Sequence, residues 1–88
     1  MDDFAADITR RARHARDHND GDPEPAWSTG ERLFTALVLR NEEYLAGEEW
    51  TVAEVTRRLA GELGAGSYAE VEDWLAEVRG ALEDDDDN

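Results

Sequence analysis

His14 and His18 are the only two imidazoles in this chain. Their i, i+4 spacing puts both rings on one face of a helix, as two metal ligands would require. The residues between them are Ala15, Arg16 and Asp17. A zinc-hydrolase helix would carry a glutamate base there, and a third ligand would have to come from elsewhere. The pair reads as exposed polar histidines, and no metal or cofactor is expected. The acidic run Asp84 to Asp87 lacks the alternating ligands, central glycine and distal glutamate of a calcium loop.

The other constellation of reactive types is a hydroxyl three residues before a carboxylate. It occurs as Ser28-Thr29-Gly30-Glu31, Thr51-Val52-Ala53-Glu54 and Ser67-Tyr68-Ala69-Glu70. Each precedes an apolar run of helical period. Ser/Thr-x-x-Glu in that place is a capping box, with hydroxyl and carboxylate each bonding a backbone N–H at a helix start. The boxes therefore use up the well-placed hydroxyls. With no Cys and no Lys in the chain, nucleophilic chemistry has little to work with. The expectation is that the protein is not an enzyme.

All nine basic residues are arginine, against 23 acids, for a net charge of −14 in 88 residues. Such a charge is repelled by nucleic-acid phosphate and anionic membrane. Four arginines, Arg10, Arg11, Arg13 and Arg16, cluster near the N-terminus. They could form a basic contact arm tracking phosphates, or a solvated face paired with Asp7, Asp17 and Asp20, or they could fold back on the acidic C-terminus. The solvated face is the expected use.

The elements that position these groups are helices. Residues 2–18 read as a helix whose thin stripe, Phe4, Ala5, Ile8, Ala12 and Ala15, docks weakly. Residues 19–28 read as a linker, interrupted by Gly21, Pro23 and Pro25. A helix from Thr29 to Ala46 is expected to be the central core element, closed by Gly47 with a positive φ. A helix from Val52 to Leu63 carries the stripe Val52, Val55, Leu59 and Leu63, with Trp50 and Val55 as a hydrophobic staple. Gly64-Ala65-Gly66 ends it. A last helix from Tyr68 to Leu82 buries Tyr68, Val71, Trp74, Leu75, Val78 and Leu82. Residues 83–88 read as a disordered acidic tail. The fold class is all-α: a three-helix, helix-turn-helix-like bundle over 29–82 with an additional N-terminal helix. The spacing 68, 71, 75, 78, 82 has the rhythm of a coiled-coil seam. Packing within the chain is its expected use, with a homodimer as the alternative.

Two resemblances follow from these residues. The segment Trp27-Ser28-Thr29-Gly30-Glu31-Arg32-Leu33-Phe34-Thr35-Ala36-Leu37-Val38-Leu39 resembles a W-x-T-G-E-x-L-x-x-A-L-V-L segment of small uncharacterised actinobacterial and actinophage proteins. It implies no activity and transfers no functional residue. Trp50 to Val55 and Val71 to Val78 resemble two helices of the tri-helical winged-helix DNA-binding core. That resemblance implies base contact from the start of the last helix, at Ser67, Tyr68, Glu70, Glu72 and Asp73. Those positions are acidic or neutral, whereas duplex affinity is supplied largely by Lys and Arg.

The function expected is a small acidic helical protein-interaction module. Trp27 is its apolar anchor, since Trp is enriched among binding hot spots. Glu70, Glu72, Asp73 and Glu77 form its acidic face toward a basic protein partner. The alternative is a nucleic-acid-directed regulator, either a degenerate helix-turn-helix binder or a DNA-mimic inhibitor. The acidic N-terminus lacks the apolar core of a signal peptide, and no apolar run approaches a membrane span. A cytoplasmic location is the expectation.

Overall fold

Asp2 opens the first helix: its Oδ1 accepts the Ala5 N–H at 2.7 Å. Helix α1 (Asp3–His18) then buries Ala5, Ile8, Thr9, Ala12 and Ala15. Three of these are alanines, so α1 approaches its neighbours closely. The Thr9 hydroxyl is satisfied inside the helix, donating to Ala5 O at 2.7 Å. Expected to dock weakly, α1 instead packs against the second and last helices. The computed structural model, which describes residues 1–84, has a Cα radius of gyration of 12.2 Å. A compact chain of this length has about 12 Å, as it would not with a detached N-terminal helix. Small side chains allow the close approach and Ile8 and Phe4 fill the contact, which is why a thin stripe suffices.

Asp20 and Gly21 turn the chain with φ of 57° and 86°, and Pro23 is buried. Helix α2 (Thr29–Val38) starts at a complete capping box. Ser28 Oγ accepts from Glu31 N at 3.2 Å, and Glu31 Oε1 accepts from Ser28 N at 2.8 Å. Leu33 through Val38 are all buried, so α2 is the core helix, touching every other helix.

The expected single helix to Ala46 is in fact two. α2 stops at Val38, Arg40 takes a φ of 56°, and α3 (Glu42–Gly47) begins at Asn41. The Asn41 carboxamide is the reason. Its Oδ1 accepts the Tyr44 N–H at 3.1 Å. Its Nδ2 donates to Gly21 O at 3.0 Å and to Asp22 Oδ1 at 2.9 Å. The left-handed residue after α3 is Glu49, with a φ of 64°, and not Gly47, which lies within the helix. The Trp50 N–H closes this turn on Leu45 O at 2.8 Å.

Helix α4 (Val52–Leu63) also has a complete box, with both Thr51–Glu54 backbone bonds at 3.1 Å. Trp50 packs against the core cluster, of which buried Val55 is a member. Gly64 ends α4 with a φ of 65°, a backbone state that costs glycine little. Helix α5 (Tyr68–Asp84) starts on a modified third box. Ser67 Oγ accepts from Glu70 N at 3.4 Å, but the Glu70 carboxylate passes Ser67 and takes the Gly66 N–H at 2.6 Å. α5 buries Val71, Trp74, Leu75, Val78 and Leu82, so all but the first position of the coiled-coil-like seam is used within the chain. Phe4 stacks on Trp74 at 5.4 Å between centroids and meets Phe34 edge-on at 5.9 Å. This trio joins α1, α2 and α5. Glu83 and Asp84, expected in a disordered tail, are helical; the rest of that tail lies outside the described residues. The described residues are all-α, and no helix among them is long and apolar enough to cross a membrane.

Candidate functional site

The outward face of α5 takes its character from the one base of that helix. Arg79 is turned inward. Its Nη2 donates to Leu37 O at 2.8 Å and its Nε to Val38 O at 3.0 Å. These are terminal carbonyls of α2 that the interrupted helix leaves without intrahelical partners. Burial, and secondarily the Arg40 charge, hold the Arg79 pKa below its usual value, with Glu72 opposing. The exposed charged residues of α5 are then Glu70, Glu72, Asp73, Glu77, Glu83 and Asp84, all of one sign.

At about 100° per residue, positions 70, 73 and 77 share a row on the helix, while 72 lies some 160° around the axis from 70. The four expected acidic contacts thus divide into a row of three and one residue on the Arg79 side. Within the row, Glu70 is also engaged by the Gly66 N–H, and Glu77 lies 3.8 Å from the N-terminal ammonium.

Trp27 stands elsewhere. It is half-buried, with the Arg11 guanidinium 5.0 Å above its ring and the His14 ring at 5.9 Å. A cation over an indole contributes about 0.5–1 kcal/mol at such a site. Arg11 also bonds Asp7 at 2.8 Å and Glu31 at 2.7 Å. Trp27 and Arg11 together fasten α1 to the start of α2. The ring contacts of Trp27 are with α1, and it does not share a surface with the α5 acids.

Of the four clustered arginines, Arg10 and Arg11 share Asp7, and Arg13 and Arg16 have other neighbours. Arg10 pairs with Asp7. Arg13 lies half-buried beside Met1, Thr9 and Asp84. Arg16 bonds Asp17 at 2.8 Å and donates to Leu82 O at 3.4 Å, at the end of α5. The Arg16 hydrogen bond holds the Asp17 carboxyl below the usual aspartate range. His14 bonds Glu24 at 3.1 Å, and its ring lies 5.3 Å from that of His18. No group of three or more His, Cys, Asp or Glu among the described residues is arranged to hold a metal.

An open cleft of about 780 Å³ lies between the Asp20–Asp22 turn and α3, with Arg16, Arg40 and Tyr44 in its wall. Next to it Arg32 bonds the Tyr44 hydroxyl at 3.2 Å and Glu48 at 3.1 Å. The Tyr44 contact is the main reason its pKa is raised.

Sequence reasoning missed two further features. One is the inward turn of Arg79, since nothing local announces a contact 42 residues away. Val52 and Tyr68, placed on buried stripes, are 38% and 60% exposed. Their places at the first position of their helices, where a stripe has no turn before it to cover, could have signalled this. Comparison with protein-family models, with curated proteins and with solved structures finds no match to this chain.

Proposed function

We propose that this protein is a small, non-enzymatic interaction module that docks a basic protein segment on the outward face of α5. One observation carries the reading: every exposed charge on that helix is negative, because its single arginine is committed to the Leu37 and Val38 carbonyls. Glu70, Asp73 and Glu77 provide a row about two turns long on a rigid, well-packed element. Such a field speeds encounter with a cationic partner and rejects anionic ones. Direct duplex binding by this helix is disfavoured on the same ground. Trp27 supports the face indirectly, by holding α1 in place.

The test is a titration of the 15N-labelled chain with a short oligo-arginine peptide at physiological salt. Amide shifts concentrated at residues 70–77 support the reading. Shifts spread evenly over all acidic positions, or no saturable shift, overturn it.

A further inference from the structure

Near the end of α1 two imidazoles stand side by side. The His14 and His18 rings lie 5.3 Å apart between centroids, at an interplanar angle of 41°. Two imidazoles bound to one tetrahedral ion, at a metal–nitrogen length of about 2.1 Å, have centroids about 5 Å apart. The rings are therefore already at a chelating separation. His14 is oriented from two further sides. Its Nε2 meets Glu24 Oε1 at 3.1 Å, and its ring lies 5.9 Å from that of Trp27. A carboxylate that accepts from one ring nitrogen leaves the lone pair of the other for a metal, and such carboxylates commonly orient metal-binding histidines. His18 is exposed, so its ring has room to turn toward a shared ion.

The surrounding charge suits a cation. Arg10 and Arg11, one turn before His14, are paired with Asp7. Arg16 and Asp17, between the two histidines, are paired with each other. Glu24 brings its charge to His14, and His18 closes α1, where the helix dipole favours a positive group. We propose that His14 and His18 form a chelate site for a divalent transition-metal ion, Cu²⁺ or Zn²⁺, with Glu24 as the residue that positions His14. No three His, Cys, Asp or Glu side chains converge on one point among the described residues, so the site has two protein ligands and solvent completes the coordination. Imidazole donors favour Cu²⁺ over Zn²⁺, while Mg²⁺ and Ca²⁺ take oxygen ligands. The bound ion cross-links one turn of α1 and, through Glu24, fastens the 19–28 connection to that helix.

Titration of the full 15N-labelled chain with Zn²⁺, followed at the imidazole nitrogens, tests this. The His14 and His18 signals should shift together and saturate at one ion per chain, and Cu²⁺ should displace the zinc. The zinc-bound His14 should keep its proton on Nε2, facing Glu24. His18→Gln, at an exposed position, should weaken zinc binding at least tenfold, because one imidazole makes no chelate. His14→Gln should do the same. Glu24→Gln should weaken it about tenfold and alter the zinc-bound His14 signal while sparing that of His18. Glu70→Gln with Asp73→Asn and Glu77→Gln should leave the affinity unchanged, which separates the site from loose cation binding on the acidic row. The proposal is overturned if the two rings do not shift together, if neither histidine variant weakens binding, or if Mg²⁺ at equal concentration produces the same shifts. The positioning role of Glu24 is overturned if its variant binds zinc as the unaltered chain does.

Discussion

The Arg79 side chain of α5 donates to the Leu37 carbonyl of α2 at 2.8 Å, and its Nε completes a fork on Val38. This pair of contacts links fold and function. It caps the core helix where Asn41 redirects the chain, and it removes the one positive charge from the surface of α5.

Replacing Arg79 should therefore be costly for a residue that is only partly buried. Arg79→Met takes the side-chain donor from the Val38 carbonyl and one of two donors from Leu37 O, which keeps the Arg40 N–H at 3.1 Å, and the expected loss is about 1–3 kcal/mol. Arg79→Lys should recover only part of it, because an ammonium cannot make the fork. Urea denaturation midpoints check both.

Asn41 is predicted to matter although it is a polar, half-buried residue. Asn41→Ala removes the cap on Tyr44 N and both bonds to the 21–22 turn. The cost should be about 1–2 kcal/mol. Hydrogen exchange should show faster exchange first at the α3 amides, with α4 little changed.

Ile8→Ala tests whether α1 belongs to the cooperative unit. Ile8 is fully buried, so the loss should be about 2–5 kcal/mol. The unfolding transition should stay single when followed by Trp fluorescence and by far-UV circular dichroism.

Asp17 gives a sign-specific pH prediction. Its carboxyl is held low by the Arg16 hydrogen bond, so its stabilising effect is present above the ordinary aspartate pKa of about 3.9 and fades as pH falls through the lower folded value. A carboxyl 13C titration of Arg16→Gln should show the Asp17 midpoint rising toward 3.9. The residue is exposed, so added salt should diminish the shift.

How far the sequence disclosed this molecule depended on the range of each interaction. Ser28 and Thr51 announced their helices because a capping box closes within four residues. Ser67 announced a third, though its Glu70 reaches Gly66. The break at Arg40 was hidden because Leu37, Val38, Tyr44 and Leu45 keep a helical rhythm across it; the cue was the Asn41-Glu42-Glu43 start. Ala5, Ala12 and Ala15 gave α1 a thin stripe, and only the packed structure shows that small residues suit a close contact. The exposure of Glu70, Glu72, Asp73 and Glu77 followed from their charge. The cover over Trp27 and the inward turn of Arg79 depend on tertiary packing, which no local pattern encodes.

The central claim is that the Glu70, Asp73 and Glu77 row, and not net charge alone, captures a basic segment. The decisive measurement compares oligo-arginine affinity between two variants of equal charge. One carries Glu70→Gln, Asp73→Asn and Glu77→Gln; the other carries Glu43→Gln, Glu49→Gln and Glu62→Gln, three exposed acids elsewhere. The account predicts that the first loses about tenfold, roughly 1.4 kcal/mol, while the second stays close to the unaltered protein. Equal losses in the two variants would contradict it.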